Sequence, residues 1–165
     1  MVSHLIFMRH AKSLWDDATL SDHARPLSPK GRKDAANIAA ELARRDILVN
    51  QIWASDSNRT RETGDILMHA LPGAQSLHHT YEFYQADTTA VMRFCNNQDE
   101  PQGGLIILGH NPAWSELYQF FSGQIHDFPP GSCAVFTRKG KAPEEHWFSA
   151  DMWESLALIL PKDLR

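Results

Sequence analysis

Cysteine is scarce: Cys95 and Cys133 are the only two in 165 residues. Two thiols can form one bridge at most, so a disulfide framework is excluded. Their wide spacing gives no Cys-x-x-Cys redox or zinc pair, and both are expected to be reduced packing residues. Long apolar runs are missing too. The longest, Leu5-Ile6-Phe7-Met8 and Leu156-Ala157-Leu158-Ile159-Leu160, fall far short of the ~20 residues that span a bilayer as a helix. Arg9 and His10 cut the first run below the roughly 7–15 apolar residues of a secretory signal. The chain is therefore expected to stay in the cytoplasm. Positive charge is not in excess: sixteen Lys and Arg against twenty Asp and Glu leave −4. Nothing attracts nucleic acid or anionic lipid to the molecule as a whole, and any phosphate must be met by a local site.

What is present reads as one globular domain, residues 1–165, large enough to bury a core without metal or disulfide support. His4 to Arg9 is an apolar run ending in polar residues, the pattern of a central parallel strand. Residues 11–27 lack periodicity and carry Asp16, Asp17, Ser21, Asp22 and Pro26; they read as an unusually long polar loop. Ser28-Pro29 supplies a cap and first residue for a helix over about 29–45, with Ala35, Ile38, Ala39 and Leu42 on its inner face. Ile47-Leu48-Val49 and Gln51 to Ser55 lead through a second strand to a helix capped by Asp56 or Ser57 and ended by Pro72-Gly73. Residues 75–86 are ambiguous, a partly extended segment being among the readings. Asp87 reads as the cap of a helix with Val91, Phe94 and Cys95 inward. Leu105 to Leu108 is a third buried strand, leaving through Gly109-His110 to a helix capped by Asn111, opened by Pro112 and running to about Phe121. Ser132 to Thr137, a turn at Lys139-Gly140-Lys141, and the segments around His146–Asp151 and Leu156–Leu160 suggest further strands. The sum is an α/β three-layer sandwich: a mainly parallel sheet flanked by helices, with an antiparallel edge near the C-terminus.

Ligands of open α/β sheets bind beyond the carboxyl ends of the strands. Three such exits carry chemistry here: Arg9-His10, Ser55 to Arg59, and Gly109-His110-Asn111. Together they offer fork-shaped cationic donors and an imidazole nucleophile, and the natural guest is a phosphoryl group. A metal site is disfavoured because no His-x-x-x-His spacing occurs, the tandem His78-His79 lacks flanking ligands, and adjacent arginines repel a divalent cation. The Gly-x-x-x-x-Gly-Lys-Ser/Thr phosphate loop is also absent.

Leu5-Ile6-Phe7-Met8-Arg9-His10-Ala11 resembles the Arg-His-Gly motif of the histidine phosphatase superfamily, with Ala11 in place of glycine. The continuation through Lys12-Ser13, Trp15-Asp16-Asp17 and Ser21-Asp22-His23 to Arg25-Pro26-Leu27-Ser28 is similar to phosphohistidine phosphatases of the SixA type. Ser55-Asp56-Ser57-Asn58-Arg59 and Gly109-His110-Asn111-Pro112 resemble the second and third motifs of the superfamily.

This resemblance implies His10 as nucleophile, with Arg9, Arg59 and His110 holding the phosphoryl oxygens and no cofactor or metal. Ser13 and Arg25 are candidate substrate contacts. Arg61 reads as a solvated helix residue, and Glu82 is a candidate leaving-group acid. The expected partner is a histidine-phosphorylated protein such as a phosphotransfer domain, acted on by a monomer without nucleic acid or membrane. Two alternatives stay open, a phosphatase or mutase for a small phosphoester and a non-catalytic phosphate-recognition module. A bell-shaped pH profile would follow if His10 acts neutral and His110 charged. Trp15 and Trp114 lie close to the histidine motifs, and either could line the mouth of the site.

Overall fold

The computed structural model describes residues 1–140 and 146–165. Six strands form one sheet in the order β3-β2-β4-β1-β5-β6: β1 (Val2–Arg9), β2 (Gln51–Ser55), β3 (Ser76–Thr80), β4 (Gly103–Gly109), β5 (Cys133–Arg138) and β6 (Trp153–Ile159). β1 to β4 are mutually parallel, β5 pairs antiparallel with β1, and β6 pairs antiparallel with β5. Helices α1 (Pro29–Arg44), α2 (Asn58–Ala70), α3 (Thr88–Asn96) and α4 (Ala113–Ser122) cover the faces.

Strand periodicity divides the core in two. On β1, Leu5 and Phe7 face the side of α3 and α4, while Ile6 and Met8 face α1 and α2. β4 repeats the division with Leu105 and Ile107 against Ile106 and Leu108. All eight are fully buried, each stabilising the fold by about 1.5–3 kcal/mol. This two-sided burial is why these strands read as unbroken apolar runs.

Local signals set several boundaries. Ser28 Oγ accepts from the Gly31 amide at 2.9 Å with Pro29 at the first helical position. Ser57, rather than Asp56, caps α2, and Asp87 caps α3. Three expectations need correction. Ile47 to Val49 lie outside β2, which starts at Gln51. The helix after β4 begins at Ala113, not Pro112, although Asn111 Oδ1 still accepts from the Ser115 amide at 3.2 Å. The segment over 75–86 is partly extended as expected, Ser76–Thr80 being a parallel strand with a single neighbour, which is why it lacks a strong apolar signature. No strand forms at residues 146–151: Trp147 and Phe148 are buried as loop anchors, their carbonyls accepting from Trp153 Nε1 and Asn96 Nδ2. Of the turn at residues 139–141, Lys141 lies outside the described residues.

The loop over 11–27 is long but tied down. Ser13 and Leu27 form an antiparallel bridge, Leu14 N–H donates to Pro26 at 2.9 Å, and Ser28 N–H donates to Lys12 at 2.8 Å. A Cβ on Gly31 would come 2.1 Å from the Lys12 carbonyl oxygen, so only glycine lets α1 press this closely on the loop. From β1 the chain crosses to β2, two places away, and later returns to lay β4 between them. The exits of β1, β4 and β2 therefore stand side by side, at the switch point where an α/β sheet opens a crevice.

Candidate active site

The crevice is a cavity of about 240 Å³ whose walls include Arg9, His10, Arg59 and His110. Each reaches it from an expected place: Arg9 and His10 from the end of β1, Arg59 from the first turn of α2, and His110 from the residue after β4. The imidazoles of His10 and His110 have centroids 5.2 Å apart. A larger hollow beside Trp53, His78 and Phe94 has no arginine in its wall and does not suit an anion.

Hydrogen bonding fixes both tautomers. Arg59 Nε is 3.4 Å from His10 Nε2 and its Nη2 is 3.3 Å from His110 Nδ1. A guanidinium only donates, so both ring nitrogens present lone pairs. His10 then carries its proton on Nδ1, which donates to the Ala11 carbonyl at 2.7 Å. His110 carries its proton on Nε2 and donates to Ser55 Oγ at 2.8 Å. The result is a neutral His10 with a free Nε2 facing the cavity. Burial, then the nearby His110, Arg59 and Arg9, pull the His10 pKa well below its ordinary value, against the Ala11 hydrogen bond that raises it. Burial and the charge of Arg59 lower His110 to about 3. In the free site His110 is thus a neutral imidazole: the arginines that favour an anion disfavour a second cation.

Arg9 donates through Nη1 to the Phe128 carbonyl at 3.2 Å, while its Nε is buried without a partner. An unmet buried donor beside an anion-sized cavity is suited to a ligand oxygen. Ser13 and Arg25 both line the cavity and are bonded to each other, Arg25 Nη2 to Ser13 Oγ. Arg25 also donates to the Leu14 carbonyl at 2.9 Å and lies under the indole of Trp15, which is 78% exposed at the rim. Trp114, by contrast, is wholly buried beneath the site, its Nε1 donating to Ile107, and does not reach the mouth. Arg61 is exposed and bonded to the Asp56 carbonyl. Glu82 stands exposed on the short 3-10 turn Tyr81–Phe83, outside the cavity wall.

The carboxylate that does reach the cavity is Asp22, to which the sequence reading gave no role in the site. Its Oδ2 accepts from Arg59 Nη2 at 3.1 Å and Tyr84 Oη at 2.6 Å, and its Oδ1 from Arg25 Nη1 at 3.0 Å. Partial burial would raise its pKa, but these donors hold it far below the usual carboxylate range. Among the described residues no cluster of His, Cys, Asp and Glu has the arrangement to hold a metal ion. No helix among them is long and apolar enough to cross a membrane.

Comparison with known proteins gives concordant matches. The model of the histidine phosphatase superfamily (branch 1) matches residues 5–83. An uncharacterized chloroplastic protein of Arabidopsis thaliana is 33% identical over 168 residues, covering 95% of this chain and 77% of that protein. A SixA structure from Agrobacterium tumefaciens superposes with a TM-score of 0.81 at 23% identity, covering 98% of this chain and 99% of that one. The protein histidine phosphatase SixA complexed with tungstate gives 0.78 at 18% identity, with the same coverage. A mycobacterial glucosyl-3-phosphoglycerate phosphatase gives 0.60 at 14% identity, covering 96% of this chain and 97% of that one. Two imidazoles and two guanidiniums gathered around one anion cavity, with these matches beside them, are the marks of a phosphatase, and the chain belongs to the histidine phosphatase superfamily.

Proposed function

We propose that this phosphatase removes the phosphoryl group from phosphohistidine on a protein, such as a phosphotransfer domain, by way of a phosphohistidine formed on His10. His10 Nε2 attacks phosphorus as the bond to the substrate imidazole breaks. The substrate ring, protonated on its other nitrogen, leaves as neutral imidazole. Water then attacks the phosphoryl group on His10, the new P–N bond breaks, its electron pair returns to Nε2 of a neutral His10, and phosphate departs with both protons of the water. Arg9 and Arg59 neutralise the oxygens throughout. His110 joins them once the incoming anion draws a proton onto its Nδ1. These charges come from side chains, so the proposed reaction needs no metal.

The observation that carries the choice of substrate is the state of the carboxylates. An alkoxide is a strongly basic leaving group and needs a proton, whereas imidazole titrates near ~6.5 and can leave already protonated. Asp22, the acid at the cavity, is held ionised by three donors, and Glu82 is not in the wall. This supports a phosphoramidate over an alkyl phosphate. The resemblance of the SixA structures in fold is in keeping with it.

The test offers the enzyme a histidine-phosphorylated phosphotransfer domain and a sugar phosphate in parallel, with wild type and Glu82→Gln. Fast loss of phosphohistidine by both proteins, slow release from the sugar phosphate, and an acid-labile label on His10 are expected. Rapid sugar-phosphate cleavage by wild type, lost in Glu82→Gln, would instead assign the enzyme to phosphoesters.

A further inference from the structure

Arg59 uses its two edges for different tasks. A guanidinium has a side edge, formed by Nε and Nη2, and an end edge, formed by Nη1 and Nη2. Each can hold one bidentate acceptor. The side edge of Arg59 faces His10 Nε2 and His110 Nδ1 at 3.4 and 3.3 Å, long contacts to neutral nitrogens. The end edge holds Asp22 at shorter range, with Nη1 2.8 Å from its carbonyl oxygen and Nη2 3.1 Å from its carboxylate. Asp22 is itself fixed from two sides, by Tyr84 Oη and by Arg25 Nη1. Tyr84 packs edge-on against the His110 ring, with centroids 5.5 Å apart.

From this arrangement we infer that Asp22 is the positioning residue of the phosphate clamp: it holds the end edge of Arg59 so that the side edge is aimed at a phosphoryl group on His10. The inference rests on the reading of the cavity as a phosphoryl site, and not on which leaving group the phosphorus carries. When an oxyanion enters, the long imidazole contacts give way to its oxygens while the Asp22 contacts persist. The loop over 11–27 thereby takes part in turnover although Asp22 touches none of the reacting atoms. A second arrangement predicts the opposite sign. If Asp22 merely occupied the clamp as a competing anion, its removal would free Arg59 and tighten oxyanion binding.

Orthovanadate affinity separates the two without reference to substrate. Asp22→Ala is expected to weaken vanadate binding and lower kcat/KM on the order of tenfold to a hundredfold, the scale of a misaimed catalytic group. Asp22→Asn keeps one acceptor oxygen and should fall between Asp22→Ala and wild type. Tyr84→Phe, which removes a tether but keeps the ring, should shift affinity a few-fold in the same direction. The deciding measurement is the cycle with Arg59→Ala. Once Arg59 is gone, Asp22→Ala should cost no further affinity. Tighter vanadate binding by Asp22→Ala, or the same fold-loss whether Arg59 is present or replaced, would overturn the inference while leaving the phosphatase reading intact. A wild type that binds no vanadate would remove both.

Discussion

The neutral state of His110 has a measurable consequence for stability in acid. In the unfolded chain this histidine titrates near ~6.5, and in the folded protein burial and the Arg59 charge lower it to about 3. The proton therefore prefers the unfolded state, and protonation pulls the protein toward unfolding. Stability from a neutral buried His110 is fully present above the unfolded value and is lost as pH falls from ~6.5 towards the folded value, at about 1.4 kcal/mol per pH unit. At pH 5, about 1.5 units below the unfolded value, the loss from this one residue is about 2 kcal/mol. His10 acts in the same direction. Denaturant unfolding of wild type and His110→Gln at pH 7.5 and pH 5 isolates the effect, because every other group is common to both. Wild type should lose about 2 kcal/mol more than the variant between the two conditions. Parallel losses would refute the reasoning and mean that His110 is already solvated or ion-paired in the folded protein. The acid limb of kcat/KM should accordingly lie below pH ~6.5, since His10 remains a free base there.

Other outcomes follow from the same geometry. His10→Ala should abolish turnover and the acid-labile label while unfolding at nearly the wild-type midpoint; substantial residual activity would exclude the covalent route. Arg59→Ala should cost about 2–4 kcal/mol in kcat/KM, or roughly 30- to 1000-fold, because charge-assisted bonds to the phosphoryl oxygens are lost in a largely dry site. Asp22 retains Arg25 and Tyr84 in that variant, so far-ultraviolet dichroism should be unchanged. Chelation with EDTA should leave the rate unaltered, and activity lost to EDTA and restored by Mg²⁺ or Zn²⁺ would contradict a clamp made of side chains.

Much of this was legible in the residues because the signals were local. Apolar runs that stop abruptly at Arg9-His10 and Gly109-His110 mark buried parallel strands and their exits. Ser28-Pro29 and Ser57 mark helix starts by short-range capping, and the parallel order follows from alternating strands and helices. What escaped depends on distant partners. Ser76–Thr80 is an edge strand with one neighbour, so nothing forces it to be apolar. Trp114 lies four residues from His110 in the chain but packs inward, a direction set by the helix it belongs to. Asp22 is one of several acids in a polar loop. Its distinction comes from Arg59, 37 residues on, and Tyr84, 62 residues on. The neutral resting state of His110 is hidden for a similar reason, since its field is made by side chains from other strands and helices.

Gly109 has a consequence for how an enzyme of this kind can diversify. A Cβ there would stand 2.3 Å from the Trp114 ring, and that ring is part of the central core. The floor under the phosphoryl group and the interior of the protein share one wall, so enlarging the first would open a cavity in the second. Gly109, at the edge of the anion cavity, is thus under the same constraint as residues that keep the protein folded. The side chain of Lys12 is under no such constraint, because it is exposed and the loop is tied to Ser28 by the Lys12 carbonyl. A new leaving group can be met by rewriting that position, whereas Trp15 covers Arg25 and through it bears on Asp22.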